Sequence, residues 1–402
     1  MPTTIIAGAG HAGGQTALSL RQAGYEGRIV VCGDEPVPPY QRPPLSKKYL
    51  SGELALERVF LRPESFYATH DIELRLGNAV REIDPERRSV VLDGGESLAY
   101  TDLVIATGSR PRRLDLPGAD LGNVFYLRSL ADADAIGKEL VAGRRLVVVG
   151  GGYIGLEIAS TAKGLGLEVC VVEAADRILG RVTAPEMSAY YTRAHRARGV
   201  DVRLSTGIVS FEGDATVRGV VCAGETVPAD VVVIGIGIVP DEKLAASASI
   251  PCDDGIVVDE RCATAADHVY AVGDCTRHPN PILGRTLRLE SVHNALEQAR
   301  TAATNIAGTP SKYEQVPWFW SDQFDLKLQM VGMSQGYDTI VQRGSMDADD
   351  FAMFYLKEGV LIAVDAVNRP REFMACRKLV PQRPSIDSAK LADESIPMKE
   401  MV

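Results

Sequence analysis

The sequence has few cysteines and no pairing pattern among them. The seven cysteines stand at positions 32, 170, 222, 252, 262, 275 and 376, and no two of them form a C-x-x-C motif. An odd and scattered set predicts neither a disulfide framework, nor a zinc site, nor a dithiol redox centre. The six histidines have no metal-ligand spacing either, so the sequence predicts no metal site.

Long apolar runs and a surplus of positive charge are also missing. The apolar run at residues 231–239 includes two glycines and is far shorter than the roughly 20 residues of a membrane-spanning helix. The first four residues lack the cationic region of a secretory signal. We therefore expect no membrane segment and a cytoplasmic location. The net charge of −10 argues against nucleic acid as the main partner.

Aromatic residues make up only 6% of the chain, but hydrophobic residues make up 46% of its 402 positions. This composition is typical of a folded globular protein. The length predicts roughly two to four domains.

Glycine is abundant and regularly placed. The segment 4–13 recurs in pattern at 146–155, and each copy joins a β-branched strand to an apolar helix through a G-x-G-x-x-G turn. Such a turn with its flanking strand and helix predicts a dinucleotide-binding βαβ unit. The glycines of the two turns are Gly8, Gly10 and Gly13 in the first copy, and Gly150, Gly152 and Gly155 in the second.

The glycines suit a bound pyrophosphate for physical reasons. The first permits the sharp turn, the second lets the backbone approach the phosphates, and the third lets the helix pack on the strand. The free N–H groups of the helix N-terminus then hold the anion. Each unit returns to a strand that ends in an acid, Asp34 and Glu173, which accepts hydrogen bonds from ribose hydroxyls. Two such units predict two dinucleotides.

Three further strands end in glycine. They lie at residues 102–108, 230–237 and 268–274, and they close on Gly108, Gly237 and the pair Gly273-Asp274. A glycine at such a point lets backbone come close to a ligand.

The order of these motifs resembles the flavoprotein disulfide reductase superfamily, in which an NAD(P)H domain is inserted into an FAD domain. Segments 40–47, 288–295 and 317–323 look more specifically like the class I FAD-dependent ferredoxin reductases of bacterial oxygenase systems. The resemblance implies an α/β, glutathione-reductase-like fold with two Rossmann-like domains and a C-terminal α+β domain. The implied boundaries are 1–113 and 243–316 for the FAD domain, 114–242 for the NADH domain and 317–402 for the C-terminal domain. We expect residues 385–402, which are polar, to be loosely attached.

The resemblance also implies roles for individual residues. Lys47 is expected beside the flavin N5, paired with Glu157, as the catalytic pair. Trp320 is expected at the isoalloxazine edge, and Tyr153 is the candidate gate over the flavin face. The residues expected to contact FAD are Ala12, Asp34, Arg42, Lys47, Val80, Arg128, Asp274 and Val292.

Glu173 favours NADH over NADPH, because a carboxylate binds a free ribose diol and repels a 2′-phosphate. Arg177, four residues later, weakens that preference slightly. Disulfide reductases place a cysteine pair near the FAD loop, but residues 43–52 contain no cysteine. The resemblance therefore implies that electrons leave the flavin for an external one-electron carrier.

The expected function is NADH:ferredoxin oxidoreductase, serving a [2Fe–2S] ferredoxin and through it a cytochrome P450 or a Rieske oxygenase. Arg300 and the basic run 369–383, which has a net charge of +4, are the candidate docking groups for an acidic ferredoxin. Two alternatives share the motifs: an NADH-dependent rubredoxin or monodehydroascorbate reductase, and an apoptosis-inducing-factor-like redox switch.

Overall fold

The computed structural model describes residues 1–401. The strands are β1 (Thr3–Ala7), β2 (Arg28–Cys32), β3 (Ile72–Arg75), β4 (Val80–Asp84), β5 (Ser89–Leu92), β6 (Ser97–Ala99), β7 (Asp102–Ile105), β8 (Ser109–Pro111), β9 (Val124–Tyr126), β10 (Arg145–Val149), β11 (Glu168–Val172), β12 (Asp201–Arg203), β13 (Ile208–Gly213), β14 (Val217–Cys222), β15 (Glu225–Pro228), β16 (Val231–Ile234), β17 (Ile238–Pro240), β18 (Ile256–Val257), β19 (Val269–Ala271), β20 (Thr276–Asn280), β21 (Arg285–Leu287), β22 (Trp318–Gln323), β23 (Leu326–Gly332), β24 (Thr339–Ser345), β25 (Asp350–Lys357) and β26 (Val360–Val367). The α-helices are α1 (His11–Gln22), α2 (Glu64–Thr69), α3 (Leu130–Glu139), α4 (Tyr153–Gly164), α5 (Pro185–Ala197), α6 (Lys243–Ser247), α7 (Val292–Ile306), α8 (Pro370–Leu379) and α9 (Ser388–Ala392).

The chain divides into two compact units. The first unit contains Met1–Arg42, Leu56–Arg110 and Val239–Pro317, and the second contains Pro43–Ala55, Pro111–Ile238 and Trp318–Val402. The division into an FAD, an NADH and a C-terminal domain stays a prediction. In the structure, the segments assigned to the NADH and C-terminal domains belong to the same compact unit.

The first unit is built on a parallel sheet with the strand order β19-β7-β1-β2-β3. Its central strands are almost entirely buried, as the β-branched sequences of β1 and β2 predict. Helices α1 and α7 pack against each other and contribute to a common apolar core with this sheet. The first predicted βαβ unit, β1-α1-β2, is confirmed.

The second unit repeats this plan and adds an antiparallel sheet. Its parallel sheet has the order β12-β11-β10-β16-β9, and β10-α4-β11 is the second predicted βαβ unit. The C-terminal sheet has the order β22-β23-β26-β25-β24 with antiparallel neighbours. The strands predicted before Gly108, Gly237 and Gly273 are β7, β16 and β19. The predicted α/β fold class is therefore confirmed.

One apolar core of the second unit joins its parallel sheet to the C-terminal antiparallel sheet. It contains Leu156 and Val171 from the parallel-sheet part together with Leu328 and Phe351 from the antiparallel sheet. Helix α5 adds polar contacts: the Tyr190 hydroxyl donates to Asp349 at 2.6 Å. The C-terminal sheet is thus packed directly on the second dinucleotide-binding fold.

The expectation that residues 385–402 are loosely attached is wrong for the described part, 385–401. The buried guanidinium of Arg343 donates hydrogen bonds to backbone carbonyls of this segment, those of Leu391, Asp393, Glu394 and Ile396. Three apolar side chains, Leu391, Met398 and Met401, are also buried. The prediction rested on the polar composition of the segment. It was wrong because Arg343, which is distant in sequence, donates hydrogen bonds to the backbone carbonyls of this segment.

Asp365 on β26 provides a test of the C-terminal core. Burial raises the pKa of this carboxyl from 3.8 to about 7, and the Tyr355 hydroxyl, which donates to it at 2.7 Å, offsets only part of that rise. Because the folded state holds the proton more tightly, the stabilising effect of the protonated carboxyl is complete below pH 4 and is lost as the pH rises to 7. We expect Asp365→Asn to raise the melting temperature by roughly 2 °C more at pH 8 than at pH 5. An equal change at both pH values would contradict the assignment.

Candidate functional site

The first Gly-rich turn brings backbone segments closer than any side chain allows. A Cβ atom at Gly8, whose φ is +122°, would lie 2.2 Å from the Ala106 carbonyl oxygen, and one at Gly13 would lie 1.9 Å from that of Gly8. Helix α1 follows Gly10, which provides no side-chain cap, so the first N–H groups of the helix remain available to an anion. This cradle fits the pyrophosphate of a dinucleotide.

Several predicted residues gather at this cradle. A Cβ atom at Gly273 would lie 2.9 Å from that of Ala12, which places the Gly-Asp motif beside the turn. Burial lowers the pKa of His11 to about 4, with opposing charge effects from Asp274 and Arg42. The His11 Nδ1 atom is buried without a protein partner among residues 1–401, which suits a polar group of a ligand.

Two residues that the sequence did not single out support this site. The Gln298 Oε1 atom on α7 accepts from the Gly273 N–H at 2.7 Å, and the Ser109 hydroxyl donates to Asp274 at 3.1 Å. The Gln298 side chain is fully buried. Neither residue belongs to a glycine motif, so no local signal marked them.

The acid at the end of β2 is more complex than predicted. Asp34 is exposed, and its carboxylate accepts from the Glu35 N–H at 3.0 Å. The neighbouring Glu35 is half-buried and accepts hydrogen bonds from Tyr40 at 2.7 Å and from Arg42 at 3.2 Å. Arg42 is therefore held near the cradle by a carboxylate that sequence reasoning missed.

Val80 and Val292 are also predicted to contact FAD; Val80 is buried and Val292 is half-buried. The Val80 side chain is buried in the apolar core, so only its backbone is available to a ligand. Val292 opens helix α7 after Ser291, whose side chain caps the helix by accepting from the Asn294 N–H.

The second Gly-rich turn has the same construction. A Cβ atom at Gly150, where φ is +106°, would lie 2.5 Å from the Gly235 carbonyl oxygen, and one at Gly155 would lie 2.2 Å from that of Gly150. Gly152 precedes α4 without a side-chain cap. This second cradle also fits a dinucleotide. Gly237, beyond β16, has a φ of +100° and approaches the Arg181 side chain.

Glu173, the acid predicted to bind the ribose, follows β11 and contacts the second turn. Its carboxylate accepts from the Gly151 N–H at 2.7 Å and from the Ala175 N–H at 2.8 Å. Arg177 does not compete with this arrangement, because its guanidinium donates to Gly180 and Thr183 of its loop and to Ser188 on α5. The second cradle therefore presents a carboxylate and no free guanidinium from this position.

The aromatic residues predicted near the flavin lie in the second unit. Tyr153 begins α4; its ring lies 4.8 Å from that of Phe319 and its hydroxyl donates to the Met330 sulfur at 3.0 Å. Trp320 lines a cavity of about 450 Å³ that also includes Asp322, Lys327 and Gln329. Arg128, which stands directly before the α3 cap Ser129, donates its backbone N–H to Asp132.

The predicted pair Lys47 and Glu157 forms an ion pair. The Lys47 Nζ atom lies 2.6 Å from Glu157 Oε2, and the glutamate side chain is only 2% exposed. Two serine hydroxyls also donate to this carboxylate, Ser46 to Oε2 at 2.5 Å and Ser321 to Oε1 at 2.6 Å. Both serines lie in segments that carried the family resemblance, but neither was predicted as a site residue. The result is a buried carboxylate that fixes an ammonium in one position.

The prediction that the basic run 369–383 is available for docking is partly wrong. Arg369 is not an available charge, because it contacts Asp350, Glu372 and Glu394 in an ion-pair network. Arg377 lies 4.8 Å over the Trp318 ring, while Arg371, Lys378 and Arg383 are exposed. Counting charges along the sequence could not find this network, because Asp350 and Glu394 lie outside the run.

The described residues contain no cluster of three or more His, Cys, Asp or Glu side chains that could hold a metal ion. None of the helices within residues 1–401 is long and apolar enough to cross a membrane.

Gly155 and Gly164 provide a matched test of the second cradle, because both lie in α4. Gly155→Ala places a methyl group against backbone, and we expect it to weaken NAD⁺ binding at least about tenfold. A Cβ atom at Gly164 meets nothing within 4 Å, so Gly164→Ala should leave binding unchanged and raise helix stability by up to about 1 kcal/mol. Calorimetric NAD⁺ titration and thermal melting measure both effects. Equal affinities for the two variants would exclude the close approach at Gly155.

Two family models together match nearly the whole chain. Residues 2–299 match the pyridine nucleotide-disulphide oxidoreductase family, and residues 318–402 match the reductase C-terminal family.

Known proteins with the same organisation are similar over their full length. The putidaredoxin reductase CamA of Pseudomonas putida is 44% identical over 99% of this chain and 96% of its own. The ferredoxin reductase subunit of the 5,5'-dehydrodivanillate O-demethylase of Sphingobium is also 44% identical, over 99% and 97%. The reductase in a crystal structure of the covalent putidaredoxin reductase–putidaredoxin complex superposes with a TM-score of 0.97 at 44% identity, covering 100% of this chain and 98% of that one.

These similarities confirm the predicted glutathione-reductase-like fold, the oxidoreductase activity and the cofactors FAD and NADH. The chain belongs to the pyridine nucleotide-disulphide oxidoreductase family, and within it to the ferredoxin reductases.

Proposed function

We propose that this chain is an NADH:ferredoxin oxidoreductase that reduces a [2Fe–2S] ferredoxin, which in turn serves a cytochrome P450 or a Rieske oxygenase. The observation that carries the proposal is the buried carboxylate of Glu157, which holds Lys47 in a segment, Pro43–Ala55, that contains no cysteine. This segment therefore contains no thiol that could exchange electrons with a disulfide substrate, and no internal dithiol. Bound FAD supplies the conversion of a two-electron hydride transfer into single-electron steps.

Different residues carry the separate parts of the proposed chemistry. In the first unit, the cradle at Gly8, Gly10 and Gly13 binds the FAD pyrophosphate, and Asp274 accepts from the ribityl chain. The family resemblance assigns to Lys47 the stabilisation of the negative charge that the flavin gains on reduction. Glu157 keeps the Lys47 ammonium oriented for this role.

NADH is the proposed reductant because of the groups around the second cradle. Glu173 accepts from the ribose diol of NADH and repels the 2′-phosphate of NADPH. The Arg177 guanidinium, which the sequence offered as a partner for that phosphate, instead donates to Gly180 and Thr183 of its loop and to Ser188 on α5. The two observations together support a strong preference for NADH.

We also propose a cytoplasmic location. All seven cysteines are free thiols and six of them are buried. Unpaired thiols are typical of proteins in a reducing compartment.

Replacing Glu173 tests the choice of reductant. We expect Glu173→Ser to lower kcat/KM for NADH by about tenfold or more, because the ribose loses a charged acceptor, and to raise kcat/KM for NADPH. The control is Asp176→Ser, which removes an exposed acid from the same loop. Steady-state reduction of a small dye measures both coenzymes. An unchanged NADH-to-NADPH ratio in Glu173→Ser would argue against the assignment.

Charge reversal on the surface tests the ferredoxin partner. Arg300 is 54% exposed and pairs only with Glu297 among the ion pairs of residues 1–401. We expect Arg300→Glu to lower the rate of reduction of an acidic [2Fe–2S] ferredoxin about tenfold at low salt and to reduce its salt dependence. Dye reduction by NADH should not change. Arg87→Glu, on an exposed hairpin of the same unit, is the control. If turnover were faster with a rubredoxin than with any ferredoxin, the proposed ferredoxin partner would be wrong and a rubredoxin would be the acceptor.

A further inference from the structure

A chain of buried hydrogen bonds leads away from Glu157 through the interior of the second unit. It runs through Ser321 and Gln323, both on β22, to His195 on α5. The side chains of all four residues are buried, and His195, Ser321 and Gln323 have no solvent exposure at all. The proposed function does not use the three residues beyond Glu157.

Counting donors fixes the direction of every hydrogen bond in this chain. An ionised carboxylate only accepts, so Ser321 spends its single O–H on Glu157 Oε1 at 2.6 Å. The Ser321 oxygen must then accept from the Gln323 Nε2 group at 3.0 Å. This turns the Gln323 carbonyl oxygen toward His195 Nε2, which lies 2.8 Å away. The Nε2 atom of His195 must therefore carry the proton.

The state of His195 agrees with this assignment. Burial lowers its pKa to about 4, so the ring is neutral and carries one proton. Its Nδ1 atom is buried and has no hydrogen-bond partner within residues 1–401. A bare nitrogen lone pair at that position is preferable to a bare N–H group, which again places the proton on Nε2.

The three hydrogen bonds point the same way, toward Glu157. Aligned bonds polarise one another in an interior of low dielectric constant. The hydroxyl of Ser321 is therefore held by its neighbours as a donor and has no freedom to turn away. On the other side of the carboxylate, Lys47 and Ser46 both approach Oε2. Each Glu157 oxygen consequently has its own fixed partners.

We propose that Ser321 is a positioning residue for the ferredoxin reductase reaction: Gln323 and the neutral Nε2–H tautomer of His195 aim its hydroxyl at Glu157, so that Glu157 presents an oriented carboxylate to Lys47. The inference rests on the proposed role of Lys47 in flavin reduction. Without the hydroxyl, Oε1 is left buried without a donor, and the carboxylate turns away from its productive contact with the ammonium.

Rapid-mixing reduction of the holoenzyme by NADH tests the positioning role. We expect Ser321→Ala to lower the limiting rate of flavin reduction about tenfold or more, while the dissociation constant for NADH stays within about twofold. Ser321→Thr keeps the hydroxyl and should restore most of the rate. Ser160→Ala is the matched control, because it removes another buried serine hydrogen bond, to the Phe324 N–H, from α4 itself. If Ser160→Ala slows reduction as much as Ser321→Ala, the positioning role is overturned.

A spectroscopic measurement keeps the inference testable if a variant folds poorly. In wild-type holoenzyme with ¹⁵N-labelled histidine, we expect the His195 resonances, assigned by their loss in His195→Asn, to show a neutral ring protonated at Nε2 at pH 7. A ring protonated at Nδ1, or at both nitrogens, would overturn the direction of the chain.

The variant Lys47→Met separates this inference from the function on which it rests. If Lys47→Met and Ser321→Ala both slow flavin reduction, both assignments stand. If only Lys47→Met slows it, the role of Ser321 is overturned while the role of Lys47 is kept. If Lys47→Met leaves the rate unchanged, the proposed role of Lys47 fails, and positioning by Ser321 fails with it even where the His195 spectrum agrees.

Discussion

Close approach of backbone to backbone at the two Gly-rich turns is the constraint on which the structure depends. Gly13 meets Gly8, and Gly155 meets Gly150, at distances that leave no room for a Cβ atom. Each helix can therefore begin directly at the end of its strand with its first N–H groups uncapped. Both turns are therefore formed by backbone atoms alone. The acidic groups, the Gly-Asp motif and the aromatic residues are arranged around them.

The two cradles differ in how their polar neighbours are supported. In the first unit, Gln298 on helix α7 and Ser109 at the start of β8 hold the Gly-Asp motif. In the second unit, two separate segments supply the donors to a buried carboxylate: one brings Ser46 and Lys47 to Glu157, and the other brings Ser321. A buried charge is tolerated only where its acceptor sites are filled. The second arrangement needs the C-terminal sheet in place, because β22 supplies one of the donors.

The sequence predicted the features that depend on short stretches of chain. The βαβ units, the strands before Gly108, Gly237 and Gly273, and the pairing of Lys47 with Glu157 all follow from motifs that are contiguous or carried by the family resemblance. Contacts between distant segments were not predictable: Ser46 lies 111 residues from Glu157 and Ser321 lies 164 residues from it. The predictions for Arg369 and for residues 385–401 were wrong for the same reason. The ion pairs of Arg369 and the contacts of Arg343 with residues 385–401 involve partners distant in sequence, about which composition carries no information.

The apolar core that the parallel sheet shares with the C-terminal sheet in the second unit has a consequence for how this protein unfolds. Because Leu156 and Val171 share that core with Leu328 and Phe351, the C-terminal sheet cannot detach without exposing the interior of the dinucleotide-binding fold to water. The two sheets therefore form one cooperative foldon. Damage to the C-terminal sheet would therefore also destabilise the fold that binds the coenzyme.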